Sequence, residues 1–203
     1  MTSVPLVVAP VYDGLCTFEF SIVAEVFGLE RPEMGDSWYR FASVAVDAGR
    51  LRAQGGLRIS VDGDAGLLEV ADLIVVPGWK GVNAPVPKEL SRRLRAAWER
   101  GARLASICSG AFVLAATGLL DGRRAATHWR YAKSLQQAYP KIDVGANVLY
   151  CEEDRIATSA GSAAGIDLML HVVRTDFGVT AANSVARRLV MPPSQNWRAG
   201  VVH

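Results

Sequence analysis

A chain of 203 residues, half of them hydrophobic and 21% charged, is long enough to bury one sizeable core. Its net charge of +2 is too small to argue for a nucleic-acid surface, and no apolar run reaches the roughly 20 residues of a membrane span. Three cysteines (Cys16, Cys108 and Cys151) cannot build a disulfide framework and lack the spacing of a zinc site, so a reducing cytoplasm is expected, with no metal and no cofactor.

The N-terminus lacks the basic start and cleavage site of a secretory signal, so Val4 to Ala9 reads as a first strand, apolar throughout and therefore interior to a sheet. Tyr12-Asp13-Gly14 is a turn. Phe18, Ile22, Val23, Val26 and Phe27 then recur at helical spacing, and Gly28 closes the segment. Glu19 stands at the start of that helix. Two readings are open for it: a first-turn acid favoured by the helix dipole, or a carboxyl turned into a pocket.

Tyr39 to Val46 predicts a second strand, and Leu57 to Val61 a short extended piece, as in a hairpin. Asp72 to Gly78 is a hydrophobic strand ending in a turn, with a loop from Trp79 through Pro87. Leu90, Leu94, Ala97 and Trp98 share a helix face that Gly101 stops. Strand and helix alternate, as in a parallel sheet with helical crossovers. Further on, Leu119 to Gly122 turns into Arg123 to Thr127, and a helix covers Tyr131 to Tyr139. Val148 to Cys151 and Arg155 to Thr158 suggest a small strand pair. Ala163 to Phe177 is a long apolar helix that Gly178 ends, and Thr180 can cap one more helix reaching Val190. The paired arginines Arg92-Arg93, Arg123-Arg124 and Arg187-Arg188 are dispersed and read as solvated faces or turns. With no repeat and no second core, residues 1–193 are expected to be one domain and 194–203 an irregular tail.

The most informative stretch is Arg103 to Ala116. Arg103 to Ile107 reads as a buried strand, and from Ser109 the residues are small or unbranched at helical spacing. Cys108 therefore sits on the turn between strand and helix, the geometry of a nucleophile elbow. Unpaired amides at a helix start favour an anion, so a thiol there is expected to lose its proton readily. The competing reading is a buried structural cysteine. In an open parallel sheet, ligands bind beyond the carboxyl ends of the strands. The turn at Gly78-Trp79 and the elbow at Cys108-Ser109-Gly110 would both lie there. The amides of Trp79 and Ser109 are thus candidates for an oxyanion hole.

Several segments occurring in order resemble the ThiJ/PfpI superfamily, the class I glutamine amidotransferase-like proteins. They are Ser106 to Ala111, Leu119 to Arg123, Ala126-Thr127-His128-Trp129, and Thr158 to Gly161 with Gly165 to Leu168. Tyr12 to Phe20, Ile74 to Trp79 and Asp176-Phe177-Gly178 strengthen the likeness, which is greatest to the amidase-like N-terminal domain of AraC-type transcriptional regulators of the FtrA kind. The resemblance implies a flavodoxin-like three-layer α/β sandwich with a mostly parallel central sheet, a homodimer, Cys108 at the elbow and Glu19 near its sulfur. It also implies a ligand-sensing and dimerising role for an unknown small molecule. DNA would be reached only through a C-terminal pair of helix-turn-helix units that this chain does not contain, and no membrane would be involved. Isonitrile hydratases of the same superfamily carry a comparable cysteine, acid and Thr-His-Trp segment. A hydratase or hydrolase, or a thiol redox sensor, is therefore the alternative. Proteases and glyoxalases of the superfamily have histidine after the cysteine where this chain has Ser109, so no adjacent base activates Cys108. Trp79 stands where many members have glycine. His128 is either a catalytic group or a holder of its loop, His171 reads as a satisfied core residue, and Cys16 and Cys151 are taken as structural.

Overall fold

The computed structural model describes residues 4–145 and 147–191. Five parallel strands and one antiparallel strand form the central sheet, in the order β2-β1-β5-β6-β10-β9. Its members are β1 (Leu6–Val11), β2 (Arg40–Ala45), β5 (Leu73–Pro77), β6 (Arg103–Ile107), β9 (Tyr150–Glu153) and β10 (Ile156–Ser159). All six residues of β1 are buried, because neighbouring strands flank it on both sides and helices cover both faces. The expected boundaries hold to within two residues there and at β2 and β5. The segment around Leu57 is indeed a hairpin, β3 (Leu51–Arg52) against β4 (Arg58–Ile59). A further parallel pair joins β7 (Arg124–Ala125) to β8 (Asp143–Val144).

Alternation along the strands splits the core in two. Val8, Ile74, Val76 and Leu104 face one side, against Leu94 and Ala97 of α2 (Lys88–Arg100) and Phe112 and Leu114 of α3 (Ala111–Ala116). Val7, Ala9, Val75, Ala105 and Ile107 face the other. There they meet Ile22 and Val23 of α1 (Thr17–Val23) and Leu168, Met169 and Val173 of α5 (Ala163–Arg188). The helix α4 (Trp129–Ala138) packs Leu135 against the first of these layers. This is the flavodoxin-like three-layer sandwich implied by the sequence.

Two expectations need amendment. The pair Tyr150–Glu153 and Ile156–Ser159 is more than a local hairpin, since β10 runs parallel to β6 and extends the main sheet. Its two-residue turn takes positive φ at Asp154 (49°) and Arg155 (64°), as so tight a hairpin requires. The first helix continues through a π-turn at Ala24–Gly28, and Phe18 is 56% exposed instead of lying on the apolar face. As expected, Gly178 (φ 84°, ψ 176°) breaks α5, and a further helical stretch follows on its far side. The proposed tail at 194–203 lies outside the described residues.

Sheet order reverses between β1 and β5, so the turns after β1, β5 and β6 converge at the carboxyl ends of the strands, where such sheets bind ligands.

Candidate functional site

Cys108 leaves β6 with φ 58°, a left-handed conformation that is costly for a residue with a side chain. Its surroundings hold it there. Thr127 Oγ1 donates to Cys108 O at 2.8 Å, and Gly161 faces the turn so closely that a Cβ there would lie 2.9 Å from Cys108 Cβ. Gly110 has the same close fit: its Cβ would come 2.4 Å from Val76 O and 3.2 Å from Gly78 N. The two glycines thus let the elbow press against the turn after β5 and the turn after β10. One turn of 3-10 helix, Cys108–Gly110, then leads into α3.

The turn after β5 is fixed from several directions. Gly78 N donates to Ile107 O at 3.0 Å, and Tyr12 Oη donates to Pro77 O at 3.0 Å. Trp79 packs its ring 4.8 Å from that of Tyr12 and donates Nε1–H to Ala84 O at 3.3 Å, so the indole is spent in the core. The Trp79 peptide faces the elbow. Its N–H donates to Ser109 Oγ at 2.9 Å, and Ser109 Oγ donates to Trp79 O at 3.3 Å. The Trp79 amide named above as an oxyanion donor is therefore already taken.

Cys16, expected to be structural, lies against the same turn. As the residue capping α1, it places Sγ 3.8 Å from Trp79 O, accepts from Gln54 Nε2 at 3.8 Å, and leaves room at Gly78 only for a hydrogen. Its place one helical turn before Glu19 was the available signal. Cys151, by contrast, is buried with Ala126 and Val148.

Charge at the elbow differs from the expectation. Burial first, and the nearby Glu19 carboxylate second, push the Cys108 thiol up to about 12, against the opposing hydrogen bonding of Ser109. The favourable helix start is outweighed by desolvation, since Cys108 is only 9% exposed. Burial raises Cys16 and Tyr12 as well, with Glu19 adding to each. Glu19 thus acts on all three groups, which supports the pocket reading of that carboxyl.

His128 caps α4, its Nδ1 accepting from Arg130 N at 3.3 Å, with its ring beside those of Trp129 and Tyr131. The segment reaches the elbow through Thr127, whose hydroxyl donates to Cys108 O, while the hydrogen bond of His128 is made within its own loop. His171 pairs with Glu152 at 2.5 Å, half-buried at the sheet edge instead of in the core. Arg92 and Arg93 pair with Glu89, and Arg123 with Asp154. Among the described residues, no group of three or more His, Cys, Asp or Glu is placed to hold a metal ion, and no helix is long and apolar enough to cross a membrane. A cleft of about 600 Å³ lies at the opposite end of the sheet, bordered by Asp72, Arg103, Arg155 and Asp176.

Several known proteins are similar to this chain. The HTH-type transcriptional regulator CdhR of Pseudomonas aeruginosa is 34% identical over 177 residues, 85% of this chain and 52% of the regulator. Isonitrile hydratase of Pseudomonas putida is 33% identical over 132 residues, 64% of this chain and 57% of the enzyme. The fold recurs in the crystal structure of an AraC family transcriptional regulator from Pseudomonas putida, with a TM-score of 0.78 at 24% identity, over 91% of this chain and 99% of that one. This chain spans about half the length of the regulators it matches. The DJ-1/PfpI family pattern runs through residues 6–175, from β1 across the elbow and into α5, and the chain belongs to that family.

Proposed function

We propose that this domain is the ligand-sensing and dimerising part of an AraC-type transcriptional regulator, in which Cys108 is a binding thiol and not a nucleophile. What favours sensing over turnover is the setting of the elbow: Cys108 is buried, and Ser109 follows it in place of a base. Burial pushes the thiol up to about 12, which disfavours the thiolate that nucleophilic turnover draws on. Similarity to CdhR supports the regulatory setting. The ligand would be a small molecule entering at the carboxyl ends of the strands, where the Cys108 thiol and the Glu19 carboxyl offer a donor and an acceptor. DNA contact would belong to a separate helix-turn-helix domain, a second copy of the chain would be the dimer partner, and the cytoplasm would be the compartment. Burial of the thiol opposes the redox reading too, because oxidation starts from the thiolate.

Similarity to an isonitrile hydratase, with an acid beside the cysteine, keeps a cysteine-dependent hydratase as the second reading. One experiment separates the two. A panel of small metabolites, isonitriles and amides is screened by thermal shift and, in parallel, for turnover. A sensor gives a ligand-dependent rise in Tm that Glu19→Gln diminishes, and no turnover. Turnover of an isonitrile or amide that vanishes in Cys108→Ala would replace this reading with the enzyme.

A further inference from the structure

We infer that Ser109 closes the oxyanion hole of this elbow from within: its hydroxyl fills the position on the Trp79 amide that a substrate oxygen would have to occupy. The turn after β5 lies against the elbow, and the Trp79 N–H is directed at the hydroxyl of Ser109, the residue next to Cys108. That contact is buried, with Ser109 4% exposed and Trp79 3% exposed. Water does not compete there for the amide. The hydroxyl is held at both ends, accepting from Trp79 N and donating to Trp79 O, while Cys16 Sγ adds a second, longer contact to the same carbonyl. The N–H and the C=O of Trp79 are thus both engaged by side chains of the protein itself. A residue without a hydroxyl at position 109 would leave the same backbone with a free, buried donor, which costs stability but is what acyl chemistry needs. This inference rests on the reading of Cys108 as a pocket thiol and concerns that same site. It does not depend on which ligand the pocket takes.

The test compares two reactions of the same sulfur. With p-nitrophenyl acetate, Cys108 sulfur attacks the carbonyl carbon, a C–S bond forms and the carbonyl electron pair moves onto oxygen. Collapse of that oxyanion expels p-nitrophenolate, and the thiol proton goes to solvent. With iodoacetamide, the sulfur displaces iodide at carbon and no oxyanion forms at the attacked centre. Both reactions draw on the same thiolate, so the ratio of acylation to alkylation rates at Cys108 cancels changes in its proton affinity and reports the hole. Each rate is read on the Cys108 peptide by mass spectrometry, which keeps Cys16 apart.

Ser109→Ala and Ser109→Gly should raise the ratio by about tenfold or more, since a single oxyanion donor is worth on the order of 100-fold in rate. Ser109→Thr, which restores the hydroxyl, should return it to the original value. Wild-type protein supplies a measurement that needs no variant: its ratio should not exceed that of N-acetylcysteine. A wild-type ratio well above the free thiol, or ratios unchanged in both folded hydroxyl-free variants, would overturn the inference. A ligand screen without a hit would instead undo the sensing reading and leave this one standing.

Discussion

At the scale of single residues, the site is built on backbone conformations that side chains ordinarily avoid. Cys108 (φ 58°) and Ser162 (φ 45°) both adopt positive φ, and Gly161 lies between Ser162 and the elbow it faces. Strain of this kind persists only where neighbours over-determine the turn, as the Thr127 hydroxyl and the packing of Gly110 do here. Gly161→Ala puts a methyl 2.9 Å from Cys108 Cβ and 3.1 Å from its sulfur, on a residue with φ 104°. It should destabilise the fold by about 1–3 kcal/mol and shift the urea midpoint downward. An unchanged midpoint would mean that the elbow is not held by this contact. That Cys108, Glu19, Gly78, Trp79, Ser109 and Gly110 lie near one another was legible in the sequence. The proton on Cys108 was not. A strand-to-helix turn reveals which amides face the thiol, but the depth of burial that outweighs them depends on segments far away in the chain. Cys16 was missed because a cysteine at a helix start is equally at home in any core.

Secondary-structure elements meet in one cross-link away from the elbow. Asp176, on the last turn of α5 before the break at Gly178, accepts from Arg103 at the start of β6 (2.8 and 2.5 Å) and from Tyr39 Oη just before β2 (2.5 Å). Burial and the Asp176 carboxylate both raise Tyr39, and the same carboxylate raises Arg103. Asp176→Ala leaves a half-buried guanidinium and a phenol without their acceptor. A loss of about 1–3 kcal/mol is expected by chemical denaturation, with the elbow's reactivity unaltered. A loss within measurement error would show the network to be ornamental. At this scale, β-branched runs such as Ile74 to Val76 and glycine stops such as Gly101 made the strands and helices readable in the sequence. What could not be read was that β10 pairs with β6. A local alternation identifies the hairpin, but its partner is about 50 residues away in sequence and is fixed by which sheet edge remains open.

For the whole molecule, the three layers bring the ends of β1, β5 and β6 to one point, and family membership follows from that architecture together with the motifs upon it. The same scaffold serves relatives with different roles, so the chemistry of the elbow must assign the role here. The account stands on a protonated Cys108. Its direct test is the rate of Cys108 alkylation by iodoacetamide as a function of pH, read on the Cys108 peptide and checked against Cys108→Ala. A folded-state value pushed up to about 12 means that the thiolate fraction grows about tenfold per pH unit across the neutral and mildly alkaline range. The rate should therefore climb through pH 9 and beyond without levelling. A plateau near pH 7 would reveal a thiolate at rest in the pocket and contradict the account.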